Sequence, residues 1–94
     1  MIDNEFDPRL RRLFAENLRR LRTGKSISQE ELSAKCGFHR TYVSQVERAK
    51  ANVSIDNMQK LADALMVSHL ELLQLPDAKG KKNEPPSAKQ TPSA

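Results

Sequence analysis

The sequence predicts an all-α fold of five short helices, and three observations carry that reading. Apolar residues recur at three- and four-residue spacing between residues 8 and 75, the period of helices that bury one face. Serines stand just before those runs, at 28, 54 and 68, where capping residues are expected. The length of 94 residues allows one domain and leaves no room for two separate cores.

The first helix opens at Asp7 as N-cap, with Pro8 in the first helical position, where a missing N–H costs nothing. Leu10, Leu13, Phe14, Leu18 and Leu21 form its buried stripe, and Gly24 ends it. The second helix starts on a capping box of Ser28 and Glu31, with Ile27 and Leu32 as its hydrophobic staple. Cys36-Gly37-Phe38 makes a short turn into the third helix, with Gly37 in the left-handed conformation. Two helices of about eight to ten residues around such a turn have the spacing of a helix-turn-helix unit. Val43 and Val46 supply the inward face of the third helix. At about 100° per residue, Arg40, Thr41, Ser44, Gln45 and Arg48 fall within about 140° on the other side. These side chains are able to hydrogen-bond base edges, whereas an ordinary exposed helix more often carries Glu and Lys pairs. Ser54 caps the fourth helix, with Val53 and Met58 as staple, and Ser68 with Glu71 boxes the fifth, with Val67 and Leu72 as staple.

These elements divide the chain into an extension over residues 1–7, a helical domain over 8–75 and a tail over 76–94. The tail has no large apolar side chain and is expected to be disordered, since nothing in it offsets the entropy of folding. Charge is uneven along the chain. Residues 1–7 carry −3, residues 8–50 carry +7, residues 51–75 carry −2 and the tail carries +2. A basic half beside an acidic one suggests a face for a polyanion and a second face free for other contacts.

Other chemistry finds little to work with. A single cysteine, Cys36, excludes an internal disulfide and fits a reducing cytoplasm, and it reads as a small packing residue. His39 and His69 are the only histidines, and Cys36 three positions before His39 makes a pair of only two ligands; no metal site, cofactor or catalytic group is expected. No apolar run approaches the roughly 20 residues of a membrane span, and the acidic start lacks the order of a signal peptide. The apolar stripe of the arginine-rich first helix is needed for the core, so a membrane-surface role is not expected either.

From Leu18 to Leu73 the sequence resembles the Cro and phage-repressor-like, or Xre, helix-turn-helix family. The pattern lies in Ile27-Ser28-Gln29-Glu30-Glu31-Leu32-Ser33, Cys36-Gly37-Phe38, Tyr42-Val43-Ser44-Gln45-Val46-Glu47-Arg48 and Met58-Gln59-Lys60-Leu61-Ala62-Asp63-Ala64-Leu65. The resemblance implies a lambda-repressor-like DNA-binding domain and a sequence-specific transcription regulator. It would be a homodimer on double-stranded DNA, in the cytoplasm of a bacterium or its phage, with RNA polymerase as a further partner. By the same resemblance, Arg40, Thr41, Ser44 and Gln45 match base-facing positions, and Arg40 suits the O6 and N7 acceptors of guanine. Gln29 matches the glutamine that touches the DNA backbone and props the reading helix. Tyr42 matches a position at the groove edge, and Arg48, Lys50 and Asn52 match phosphate-contacting positions. Arg22 and Glu47 match a partly buried structural ion pair. His39 replaces the usual Ser or Thr cap and is expected to reach a phosphate, and Ala49 and Val53 replace a usual Gly and Pro. The start Arg40-Thr41-Tyr42 is similar to restriction-modification controllers within the family. A dimer interface is expected at Met66, Val67, Leu70, Leu72, Leu73 and Leu75, which offer more apolar surface than so small a domain buries alone. The alternative is an antitoxin whose main role is to bind a protein toxin; such tails carry spaced apolar anchors, and residues 76–94 have none.

Overall fold

The computed structural model describes residues 5–76, so most of the expected extension and nearly all of the expected tail lie outside the described residues. Five helices follow in order: α1 (Arg9–Gly24), α2 (Gln29–Cys36), α3 (Arg40–Glu47), α4 (Ile55–Leu65) and α5 (His69–Leu72). There is no strand among the described residues. α2 packs on α3 and α4, α1 crosses α3 and α5, and α4 meets α5. One core joins them all, built from Phe14 and Leu18 of α1, Leu32 of α2, Val43 and Val46 of α3, Leu61 and Leu65 of α4 and Leu72 of α5. Each fully buried Leu or Val side chain stabilises the fold by roughly 1.5 to 3 kcal/mol relative to exposure.

The helix starts follow the serines. Ser28 Oγ accepts the Glu31 N–H at 2.9 Å, and the Glu31 carboxylate accepts the Ser28 N–H at 2.8 Å. That backbone donor, with the serine hydroxyl, holds the Glu31 carboxyl below its ordinary range. Ser54 Oγ accepts the Asn57 N–H at 3.1 Å. At α5, Ser68 Oγ accepts the Leu70 N–H at 3.0 Å while the Glu71 carboxylate accepts the Ser68 N–H at 3.1 Å. α2 ends at Gly37, whose φ of 77° is left-handed as expected. Cys36 stays in α2, so the turn is Gly37-Phe38-His39.

α1 departs from expectation at both ends. The N-cap is Pro8 and makes no side-chain cap bond. The Asp7 carboxylate pairs instead with Arg12 at 2.7 Å, so a nearby guanidinium has drawn it away from the helix N–H groups. Leu10 is 63% exposed, because it lies in the first turn, about 80° around the helix from Leu18 and past the edge of the core. Gly24 is the last helical residue but does not make the reversal. Lys25 caps the helix and Ser26, at φ 59°, takes the left-handed turn.

One contact closes the domain. Asn17, only 6% exposed, donates from Nδ2 to the carbonyls of Leu72 and Gln74, each at 2.9 Å. Its Oδ1 accepts from Arg20 Nη2 at 3.0 Å, so the buried amide is satisfied on both sides.

Candidate nucleic-acid interface

The site is built on α3, which buries Val43 and Val46 and turns its other face outward. Arg40, Thr41 and Gln45 are exposed on that face, with Ser44 half-buried beside them. Arg48, the C-cap of α3, and Lys50 and Asn52 in the following loop are also exposed. Among the described residues, the side chains of Arg40, Thr41, Gln45, Arg48 and Lys50 form no hydrogen bond or ion pair. A row of unsatisfied donors on a rigid helix is arranged to meet acceptors from outside the chain. His39 is the N-cap of α3 without a side-chain cap bond and lies exposed at the same end. Ala49 sits at φ 59°, so a left-handed turn does occur where the sequence lacks the usual glycine.

What holds this face in place is a buried carboxylate. Glu47, the last residue of α3, accepts from Arg22 Nε at 2.5 Å, Arg22 Nη2 at 2.9 Å and Gln29 Nε2 at 3.0 Å. The two charged side chains are 11% and 3% exposed, and Arg22 Nη1 also donates to the Ile27 carbonyl at 2.7 Å. The hydrogen bonds to Glu47 hold the Arg22 guanidinium above its ordinary range, against the opposing effect of burial. One network therefore ties the end of α1 and the start of α2 to the end of α3. Gln29 gives one amide N–H to Glu47 and keeps a second for an outside acceptor.

Tyr42 is half-buried and held twice. Its hydroxyl accepts from Asn57 Nδ2 of α4 at 3.0 Å, and its ring meets Phe38 edge-on, with centroids 4.9 Å apart. The O–H itself has no acceptor among the described residues, so the tyrosine remains available as a donor. The sequence reading missed Asn57, Asn17 and the Gln29–Glu47 bond; an asparagine on the flank of the apolar stripe of α1 was the available signal for Asn17.

The residues expected at a dimer interface divide. Met66, Leu70 and Leu75 are 84%, 68% and 75% exposed. Val67 and Leu73 are half-buried against the core. Leu72 is 1% exposed, and this corrects its placement at the interface. It is the one side chain of the four-residue α5 that plugs the core, and α5 stops there. Ile55, 76% exposed at the start of α4, lines a shallow pocket with Val67, His69 and Leu73 and was not expected. Cys36 is half-buried with its thiol donating to the Lys60 carbonyl at 3.6 Å, and burial pushes the thiol pKa up. No group of three or more His, Cys, Asp or Glu is placed to hold a metal, and no helix is long and apolar enough to cross a membrane, among the described residues.

A short helix wedged against the core, followed by a three-residue turn and a second helix with an open polar face, defines a helix-turn-helix DNA-binding domain. Residues 18–72 match the helix-turn-helix family, and the chain belongs to it, as a DNA-binding transcription regulator. A hypothetical transcription factor of Neisseria meningitidis serogroup B is 46% identical over 72 residues, covering 77% of this chain and 68% of that one. The control protein C.BamHI of Bacillus amyloliquefaciens is 46% identical over 65 residues, covering 68% of this chain and 80% of that one. Among solved structures, the restriction-modification controller protein C.AhdI of Aeromonas hydrophila is 47% identical with a TM-score of 0.64, covering 66% of this chain and 94% of that one.

Proposed function

We propose that this chain is a controller protein of a restriction-modification system that reads a two-fold-related operator as a homodimer, with α3 in the major groove. The observation that carries the reading is the open row Arg40, Thr41, Ser44 and Gln45 on a helix anchored from beneath by Glu47. Arg40 is assigned to guanine, the other three to neighbouring base edges, and Gln29, His39, Tyr42, Arg48, Lys50 and Asn52 to the backbone. The similarity to C.BamHI and C.AhdI supports the controller role. Met66, Leu70 and Leu75, with Ile55, supply the surface on which two copies meet. A regulator so placed acts on RNA polymerase, in the cytoplasm, and carries out no catalysis. The antitoxin alternative draws no support from a tail without apolar anchors.

The test is footprinting on the DNA upstream of the gene, then competition between that site and a scrambled duplex. Arg40→Ala is expected to cost about 1 to 3 kcal/mol on the specific site and much less on the scrambled one. Arg48→Ala is expected to weaken both evenly. An unchanged specificity ratio for Arg40→Ala, with an unchanged thermal melt, would remove α3 from the reading role.

A further inference from the structure

Of the five arginines of α1 besides Arg22, one differs from the rest. Arg11 lies about 20° around α1 from Leu18, on the stripe that faces α3, whereas Arg9, Arg12, Arg19 and Arg20 lie about 100 to 180° away from it. Arg9 and Arg12 face Asp7 at 3.9 and 2.7 Å, and Arg20 donates to Asn17. Arg11 has no ion pair or side-chain hydrogen bond among the described residues. It is half-buried and lines a cleft of about 450 Å³ together with Val46 at the end of α3 and Asn52 and Val53 in the α3–α4 loop.

We propose that Arg11 is a further DNA-backbone contact, extending the phosphate-binding track of Arg48, Lys50 and Asn52 onto the first helix. The proposal rests on the reading of the α3–α4 loop as lying along the duplex. Arg11 and Arg22 share one side of α1, three turns or roughly 16 Å apart. Arg22 is neutralised by Glu47, whereas Asp7, which lines the same cleft as Arg11, is taken by Arg9 and Arg12, and Arg11 itself makes no ion pair among the described residues. An arginine whose stem lines an apolar cleft keeps its guanidinium toward water, and Asn52 lines the same cleft. A half-buried cation with no ion pair of its own gains most from an anion brought by a partner. The partner that the neighbouring loop meets is a phosphodiester.

The experiment measures affinity of the full chain for the footprinted operator and for a scrambled duplex across a salt series, with wild type, Arg11→Gln, Arg11→Lys and Arg48→Ala. Each phosphate contact contributes about 0.9 to the log-log salt slope, so Arg11→Gln should flatten it by about 1.8 per dimer and weaken both duplexes by the same factor. Arg11→Lys should keep the slope. Phosphate-ethylation interference should show one position per half-site that blocks the wild type and not Arg11→Gln, a readout that does not depend on variant stability. An unchanged slope and interference pattern for Arg11→Gln, while Arg48→Ala flattens the slope, overturns the proposal and leaves the helix-turn-helix reading intact. If Arg48→Ala is also without effect, the DNA-facing placement of the loop fails and takes this proposal with it.

Discussion

On the side where α3 ends, charged and polar side chains are left without partners and a carboxylate is buried beneath them. On the side where α5 ends, apolar side chains are left in water and the buried polar group, Asn17, carries no charge. The first arrangement suits a partner that brings charge, the second a partner that brings hydrocarbon. The two buried polar groups differ to match. A buried ion pair adds little net stability over apolar residues of the same shape, so its contribution at Glu47 is to fix the direction of α3. Asn17 satisfies carbonyls that the short α5 leaves open at its end.

The comparison breaks most sharply at Glu47. Glu47→Ala leaves Arg22 and Gln29 without their acceptor and is expected to cost about 3 to 5 kcal/mol, read as a lowered thermal midpoint. A loss under about 1 kcal/mol would mean that the network is not the anchor of α3. On the apolar side, Leu70→Lys should leave the monomer's melt nearly unchanged, since the side chain is already in water. It should weaken association by about 1.5 to 3 kcal/mol per subunit, the value of burying one leucine, and sedimentation at micromolar concentration should show more monomer. If the distribution is unchanged, the copies meet elsewhere. A smaller effect is expected at the start of α3, where His39→Ser supplies the missing cap acceptor. Stability should rise by about 1 kcal/mol while affinity for any duplex falls, separating the role of cap from that of phosphate contact. Denaturant midpoints that do not rise would show that the α3 N–H groups are already satisfied. Ala49→Gly should add roughly 0.5 to 1 kcal/mol by relieving the left-handed strain, with the specificity ratio untouched. A destabilised variant would show that the strain is not there to relieve.

How much of this could be read beforehand follows the range of each interaction. The caps at Ser28, Ser54 and Ser68 and the turn at Gly37 are made between residues at most four apart, and the sequence displays both partners together. Asp7 failed as a cap although it is local, because Arg12 one turn away competed for its carboxylate. Leu10 and Leu72 were misjudged for a shared reason. Periodicity gives a face and says nothing of how far the core extends along it, so the stripe of α1 outruns its neighbours while α5 is consumed by them. The polar outer face of α3 was legible from 100° spacing, and the pair Arg22 and Glu47 only through resemblance. The bonds from Gln29 to Glu47, Asn57 to Tyr42 and Asn17 to Leu72 join residues 15 to 55 apart and needed the packing of the helices to appear.

The clasp made by Asn17 turns the domain from a line of helices into a ring. It joins residues 55 and 57 positions apart, and closing a loop of that size costs roughly 3.5 kcal/mol in chain entropy by the logarithmic term alone. The turn between α2 and α3 closes over only three residues, so the helix-turn-helix unit assembles from neighbours while the ring is sealed by the longest-range hydrogen bond among the described residues. A helix of four residues has no stability of its own in water, and α5 therefore exists only while the ring is shut. Leu70 and Leu75 are borne on or just beyond that helix. In the proposed dimer, their presentation to a second copy would certify that the first and last parts of the chain have already found each other, making pairing a property of finished domains and denying it to half-folded ones.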